Sequence, residues 1–134
     1  MLFRSLLEKA SFRMAFQRRR CLIPATAYYE WRVANDRKIP YKFSLKDTKV
    51  FMLAGLWEYW VDSSGNEVYS AAVVTCPAGH GLESYHDRMP VVFDRYNCWQ
   101  WMEDRPLAEL NQLMAPVDAD YFDIECLDPQ RTLF

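Results

Sequence analysis

Residues 50–61 form an almost unbroken apolar and aromatic run, broken only by Gly55 and Glu58. The run stops at Ser63-Ser64-Gly65-Asn66, and residues 68–75 are apolar again. Two β-prone runs joined by a short Ser/Gly/Asn cluster read as a hairpin. A strand that long must find partners on both edges, so this hairpin commits the chain to an antiparallel sheet. Gly55 in mid-strand marks a bulge or a point where another backbone approaches closely.

Other segments fit the same plan. Residues 41–45 alternate, with Tyr41, Phe43 and Leu45 on one face and Lys42 and Ser44 on the other. Residues 22–33 read as one strand ending at the Asn35-Asp36 turn, residues 89–93 as another, and residues 120–127 as the last. Residues 5–17 read as a short helix. Asp94 is placed to cap a helix through Tyr96, Trp99 and Trp101, and Leu107, Leu110, Leu113 and Met114 mark one more. Residues 82–85 read as a helical turn. The expected fold is α+β, a mainly antiparallel β-sheet or barrel with short peripheral helices.

Residues 1–134 are expected to form a single domain with one core. Aromatic residues make up 16% of the chain, enough for a β-rich core and for exposed rings on which bases could stack. A net charge of −2 argues against a globally basic nucleic-acid binder, but the charge is unevenly spread. Arg4, Lys9, Arg13, Arg18, Arg19 and Arg20 crowd the first thirty positions, whereas acids dominate after residue 101. Such a split can present a basic face. Cys21, Cys76, Cys98 and Cys126 are scattered, with no CxxC pair; four could form two bridges, but Cys21 and Cys76 sit in apolar strand-like runs and read as reduced core thiols. With two histidines and this cysteine spacing, no metal site and no cofactor are expected. No signal peptide and no long apolar span is seen, so a cytoplasmic protein without membrane contact is expected.

Two islands carry the chemistry. In the first, Glu30 stands among Tyr28, Tyr29 and Trp31. Desolvation there would raise its pKa and suit it to general acid–base work. Strand alternation alone would equally let Glu30 face water beside Arg32. In the second, His86 precedes Asp87 and Arg88 at the point where the chain re-enters the core at Met89-Pro90. Imidazole exchanges protons near neutral pH, and a guanidinium can clamp a phosphate.

Together the islands resemble the SOS response-associated peptidase (SRAP) family of abasic-site processing proteins. The family motif Arg-Arg-Cys-Leu-Ile-Pro-Ala followed by Tyr-Glu-Trp is matched by residues 19–25 and 29–31. His-x-Arg-Met-Pro-Val is matched by residues 86–91, and Lys9-x-Ser11-Phe12-Arg13 resembles the segment before the first motif. The resemblance implies binding of single-stranded DNA at an abasic site during the SOS response to DNA damage, near the nucleoid. It implies a covalent thiazolidine crosslink through an N-terminal cysteine, and autoproteolysis that exposes that cysteine. It assigns proton transfer to Glu30, sugar-ring opening and crosslink reversal to His86, phosphate contacts to Thr75, Ser84 and Arg88, and stacking to Trp31. Arg13 and Arg18 would add positive charge along the DNA.

The family starts Cys-Gly-Arg, whereas this chain starts Met1-Leu2-Phe3-Arg4. Relative to the family the domain is expected to be incomplete at its N-terminus and unable to crosslink by itself, and an open sheet edge is expected to favour self-association. Ala27 stands where the family usually has glycine, and a positive φ there would strain it. Two other readings are a noncatalytic single-stranded nucleic-acid-binding module and, further off, a thiol hydrolase using Cys76 and His86.

Overall fold

The computed structural model describes residues 10–129. In chain order it contains α1 (Ala10–Arg18), β1 (Arg20–Ala25), β2 (Tyr28–Ala34), β3 (Arg37–Leu45), β4 (Phe51–Val61), β5 (Glu67–Val73), β6 (Thr75–Pro77), β7 (Arg88–Pro90), β8 (Val92–Phe93), α2 (Cys98–Met102), α3 (Leu107–Leu113), a 3-10 turn (Ala119–Tyr121) and β9 (Phe122–Cys126). The fold is α+β with antiparallel sheets and a few short helices, and the sheets do not close into a barrel. The part of the expected first helix before Ala10, including Leu6 and Leu7, lies outside the described residues.

The long central strand behaves as its sequence requires. β4 pairs with β1 from Phe51 to Leu56 and with β5 from Gly55 to Val61, and β8 adds to it at Met52 and Leu53. Gly55 sits opposite Cys21 and Val73 at once. A Cβ there would stand 2.7 Å from the Cys21 Sγ, so the close approach is a cross-strand side chain. The turn between β4 and β5 is held by Asp62, whose carboxylate accepts from the Ser64 and Asn66 backbone N–H groups.

Two expected strands are each split. Residues 22–33 divide at Thr26-Ala27, because β1 pairs with β4 while β2 belongs to a second sheet of order β2-β3-β9. The tight turn at Asn35 and Asp36, with φ of 50° and 60°, locks β2 onto β3 and pulls it away from the partner of β1. Ala27 is not among the positive-φ residues, so the glycine-to-alanine change carries no left-handed strain. Residues 89–93 likewise divide. Met89 pairs with Cys76 in the small β6–β7 sheet, and Val92 pairs with Leu53 of β4. Val91 bridges the two, donating to the Val74 carbonyl and accepting from the Ala54 N–H.

Two aromatic clusters form the core. The first is Trp101 between Phe16 and Phe93, with its indole N–H donating to the Cys21 carbonyl. The second joins the inner face of the β2–β3–β9 sheet to a loop: Tyr28 stacks on Phe43 at 4.8 Å, and Tyr85 meets Phe43 and Tyr41 edge-on. Arg20, from the arginine cluster, is committed to the first. Its guanidinium donates to the carbonyls of Trp101, Phe16, Gln17 and Glu103, where α1 and α2 end. Helix-terminal carbonyls have no partner within their own helix, so a planar fork of donors fits them. Arg19 pairs with Glu58 at 2.6 Å. Asp94 does not cap a helix through Tyr96 as expected: its carboxylate accepts from the N–H groups of Tyr96 and Asn97 in the turn before α2, whose N-cap is Asn97 and carries no side-chain hydrogen bond.

Candidate functional site

Alternation along β2 decides which side chains meet. Tyr28, Glu30 and Arg32 lie on the half-buried face, and Tyr29, Trp31 and Val33 on the exposed one. Tyr28 is pinned by its stack on Phe43, which fixes the register that turns Glu30 inward. Arg32 reaches the ring of Tyr85, 5.8 Å from its centroid. Tyr85 is held by Tyr41 and Phe43, and the next residue is His86. The two islands are therefore anchored to one aromatic cluster, through Tyr28 and through Tyr85.

Glu30 and His86 line a common open cleft of about 510 Å³ together with Trp31, Val33 and Lys38. Burial pushes the Glu30 carboxyl above the usual carboxylate range. The nearby His86 charge opposes this shift, and Asp87 adds to it. His86 is half-exposed, and its Nδ1 accepts from the Arg88 backbone N–H at 3.0 Å. That hydrogen bond assigns the proton of the neutral ring to Nε2. When the ring is protonated, the same Nδ1 has acceptors in the Asp87 carboxylate at 3.1 Å and the Arg88 carbonyl at 3.2 Å. Protonation of Nδ1 would thus exchange the Arg88 N–H bond for one of these acceptors, so the ring has a partner in either charge state.

Arg88 and Thr75 come together rather than acting separately. The Arg88 Nη2 donates to the Thr75 carbonyl at 2.8 Å and to its hydroxyl at 3.2 Å. The Arg88 Nε is buried and has no hydrogen-bond partner. Ser84 is exposed in the turn before His86. Arg13 and Arg18 are exposed on α1, a helix that packs on β1 and β4 rather than on the β2 sheet. None of these five residues is among those lining the cleft. Cys76 is fully buried and its thiol is pushed up to about 11 by burial. A catalytic thiol needs the opposite setting, accessible and with a lowered pKa. All four cysteines are free.

Residues 3–129 match the family described as SOS response associated peptidase (SRAP). The chain belongs to the SRAP family. It is 37% identical over 119 residues to the abasic site processing protein YoqW of Bacillus subtilis (strain 168), a match covering 87% of this chain and 53% of that protein. To the abasic site processing protein YMR114C of Saccharomyces cerevisiae it is 26% identical over 120 residues, covering 87% of this chain and 32% of that one. A crystal structure of a protein from Bacteroides thetaiotaomicron superposes with a TM-score of 0.85 at 29% identity, covering 95% of this chain and 57% of that one. The SRAP chain thus spans about half the length of the bacterial relatives it matches.

Sequence reasoning missed Lys38 as a cleft residue, and missed Arg32 and Tyr85 as the contact that sets the His86 loop. Lys38 was within reach of the sequence. Once Asn35-Asp36 is taken as a two-residue turn, Lys38 must pair with Val33, two positions beyond Trp31 on the same face. No described helix is long and apolar enough to cross a membrane. Among the described residues no group of three or more His, Cys, Asp or Glu is disposed to hold a metal ion.

Proposed function

We propose that this chain, as one SRAP-like domain, binds single-stranded DNA at an abasic site and uses Glu30 and His86 to move protons on the ring-opened sugar. The carrying observation is that a carboxyl with a raised pKa and an imidazole with partners in both charge states line one cleft. An abasic sugar exchanges between a closed hemiacetal and an open aldehyde, and a paired acid and base accelerate that exchange. Trp31 provides the stacking surface beside the lesion. Arg88, oriented by Thr75, holds a neighbouring phosphate with help from Ser84, and Arg13 and Arg18 add long-range attraction. The abasic site processing names of its relatives support this substrate.

Cys21, Cys76, Cys98 and Cys126 do not line the cleft. None of these thiols is therefore placed to form a thiazolidine crosslink there, or to be the thiol that autoproteolysis would expose. These 134 residues by themselves are proposed not to crosslink. The setting is the cytoplasmic response to DNA damage, at nucleoid DNA. The exposed edge strand β5 is the surface through which copies would associate.

The test uses a single-stranded oligonucleotide carrying an abasic site and a matched one carrying a tetrahydrofuran analogue, which has no aldehyde. Arg88→Ala weakens binding of both. Glu30→Gln and His86→Ala leave analogue binding intact and slow capture of the aldehyde by an added hydroxylamine probe. If Glu30→Gln and His86→Ala left aldehyde capture unchanged while Arg88→Ala weakened binding, the chain would be a noncatalytic single-strand binding module. If wild-type protein bound neither oligonucleotide, the reading would be wrong.

A further inference from the structure

The exposed face of β2 continues past the cleft. Tyr29 and Trp31 leave that face two positions apart and are 49% and 53% exposed. On the adjacent strand Lys42 stands opposite Tyr29, and Lys38 stands opposite Val33 just beyond Trp31. Successive same-face positions along a strand are about 7 Å apart, so a strand with its bases splayed can lay one on each ring. The ring of Tyr28, one position away, is spent inside the core on Phe43, whereas Tyr29 has no ring partner among the described residues.

Resting on the reading above, we infer that Tyr29, Trp31 and Lys38 form a base-stacking strip that takes the intact unpaired nucleotides next to the lesion. Two observations choose this occupant. Trp31, Val33 and Lys38 belong to the cleft lining as well as to the strip, so a strand leaving the cleft passes onto them. The charge also fits: Lys38 is an exposed cation with no ion pair among the described residues. On the far side of β3 the charge reverses. In strand register Glu125 of β9 stands opposite Lys42, and Asp123 opposite Ser44. Phosphates are repelled there, which confines the path to the β2 side and makes Lys38, not Lys42, the effective cation. Rings flanked by a basic residue bind single strands with little sequence preference, because every base has a stacking face.

The test measures the affinity of the 134-residue chain for tetrahydrofuran-containing single strands by fluorescence anisotropy. The nucleotides flanking the analogue carry either normal bases or no bases. Tyr29→Ser is expected to weaken binding about tenfold when the flanks carry bases, and Tyr29→Phe to restore it. With base-free flanks, wild type and Tyr29→Ser are expected to bind equally. Lys38→Gln is expected to reduce the slope of log affinity against log salt by about 0.7, the value for one phosphate on a single strand, and Lys38→Arg to restore it. Because Tyr29 and Lys38 are exposed, neither change threatens folding, and a thermal melt checks this. If Tyr29→Ser and Lys38→Gln bound like wild type while Arg88→Ala bound weakly, the strip would be refuted and the cleft reading would stand. If Tyr29→Ser weakened binding equally with base-free flanks, stacking would be refuted. If wild type bound no single strand, both would fall.

Discussion

Arg20 offers the sharpest test of whether the arginine cluster is structural or a DNA contact. Its Nε donates to the Trp101 carbonyl at 2.6 Å, and its Nη1 to the carbonyls of Phe16 at 2.6 Å and Gln17 at 3.0 Å. Its Nη2 donates to the Glu103 carbonyl at 2.8 Å. The Gln17 and Glu103 bonds are exposed, so water replaces them on Arg20→Ala at little cost. The Phe16 bond and the Trp101 bond are part-buried, and bonds to a charged donor contribute about 1.5 kcal/mol each at the low end of their range. The sum is about 3 kcal/mol. With an unfolding entropy of about 2.1 cal/mol/K per residue, a chain of this length loses about 10 °C in Tm. Differential scanning calorimetry together with urea unfolding reads both quantities. Arg20→Lys, a point charge without the planar fork, recovers about a third of the loss. Arg18→Ala, exposed and without a side-chain partner among the described residues, stays within about 0.5 kcal/mol of wild type. If Arg20→Ala were as mild as Arg18→Ala, the reasoning would be refuted. It would equally be refuted if Arg20→Ala left stability alone and lowered the salt slope of DNA binding.

Burial raises the Glu30 pKa in the folded state, so folding favours its protonated form. The Glu30 contribution to stability therefore falls as pH rises from the unfolded carboxylate value, about 4.3, through the raised folded value, and is constant above it. Glu30→Gln removes this fall, so its urea midpoint gains on wild type between pH 3.5 and pH 7; an equal difference at both pH values would contradict the assignment. Gly55→Ala places a methyl 2.7 Å from Cys21 Sγ and 2.8 Å from Ile23 Cδ1 and costs about 1–2 kcal/mol. Adding Cys21→Ala recovers part of that cost, and a neutral Gly55→Ala in urea unfolding would show that the site has spare room. Asp36→Gly relieves a φ of 60° in the β2–β3 turn and raises Tm by about 2–4 °C, whereas a lower Tm would mean that Asp36 is held by more than its turn. Iodoacetamide at pH 7 labels Cys76 only as fast as the chain opens, since the thiol is buried and pushed up to about 11; labelling faster than global unfolding would reopen a role for it.

The elements were legible wherever one local rule acted alone. The period-two pattern at Tyr41, Phe43 and Leu45 placed Tyr41 and Phe43 in the core, and the 63–66 turn paired β4 with β5. The splits at Thr26-Ala27 and at Val91 were not legible. In each case the flanking segments pair with different partners, and partner choice is a property of the assembled sheets. For the same reason, charge counts could not separate Arg20, spent on helix-end carbonyls, from Arg18, which is exposed.

By itself, the sequence determined the antiparallel plan, the turns and the residue types available for proton transfer, because these follow from neighbours a few positions apart. It also carried both motifs by which the SRAP family is recognised. Only the tertiary structure decided that Glu30 turns inward rather than toward water, and that His86 meets it across a cleft shared with Lys38. Glu30 and His86 are far apart along the chain. They meet because the Tyr28–Phe43–Tyr85 cluster ties strand to loop, a contact that exists only when the whole core is packed.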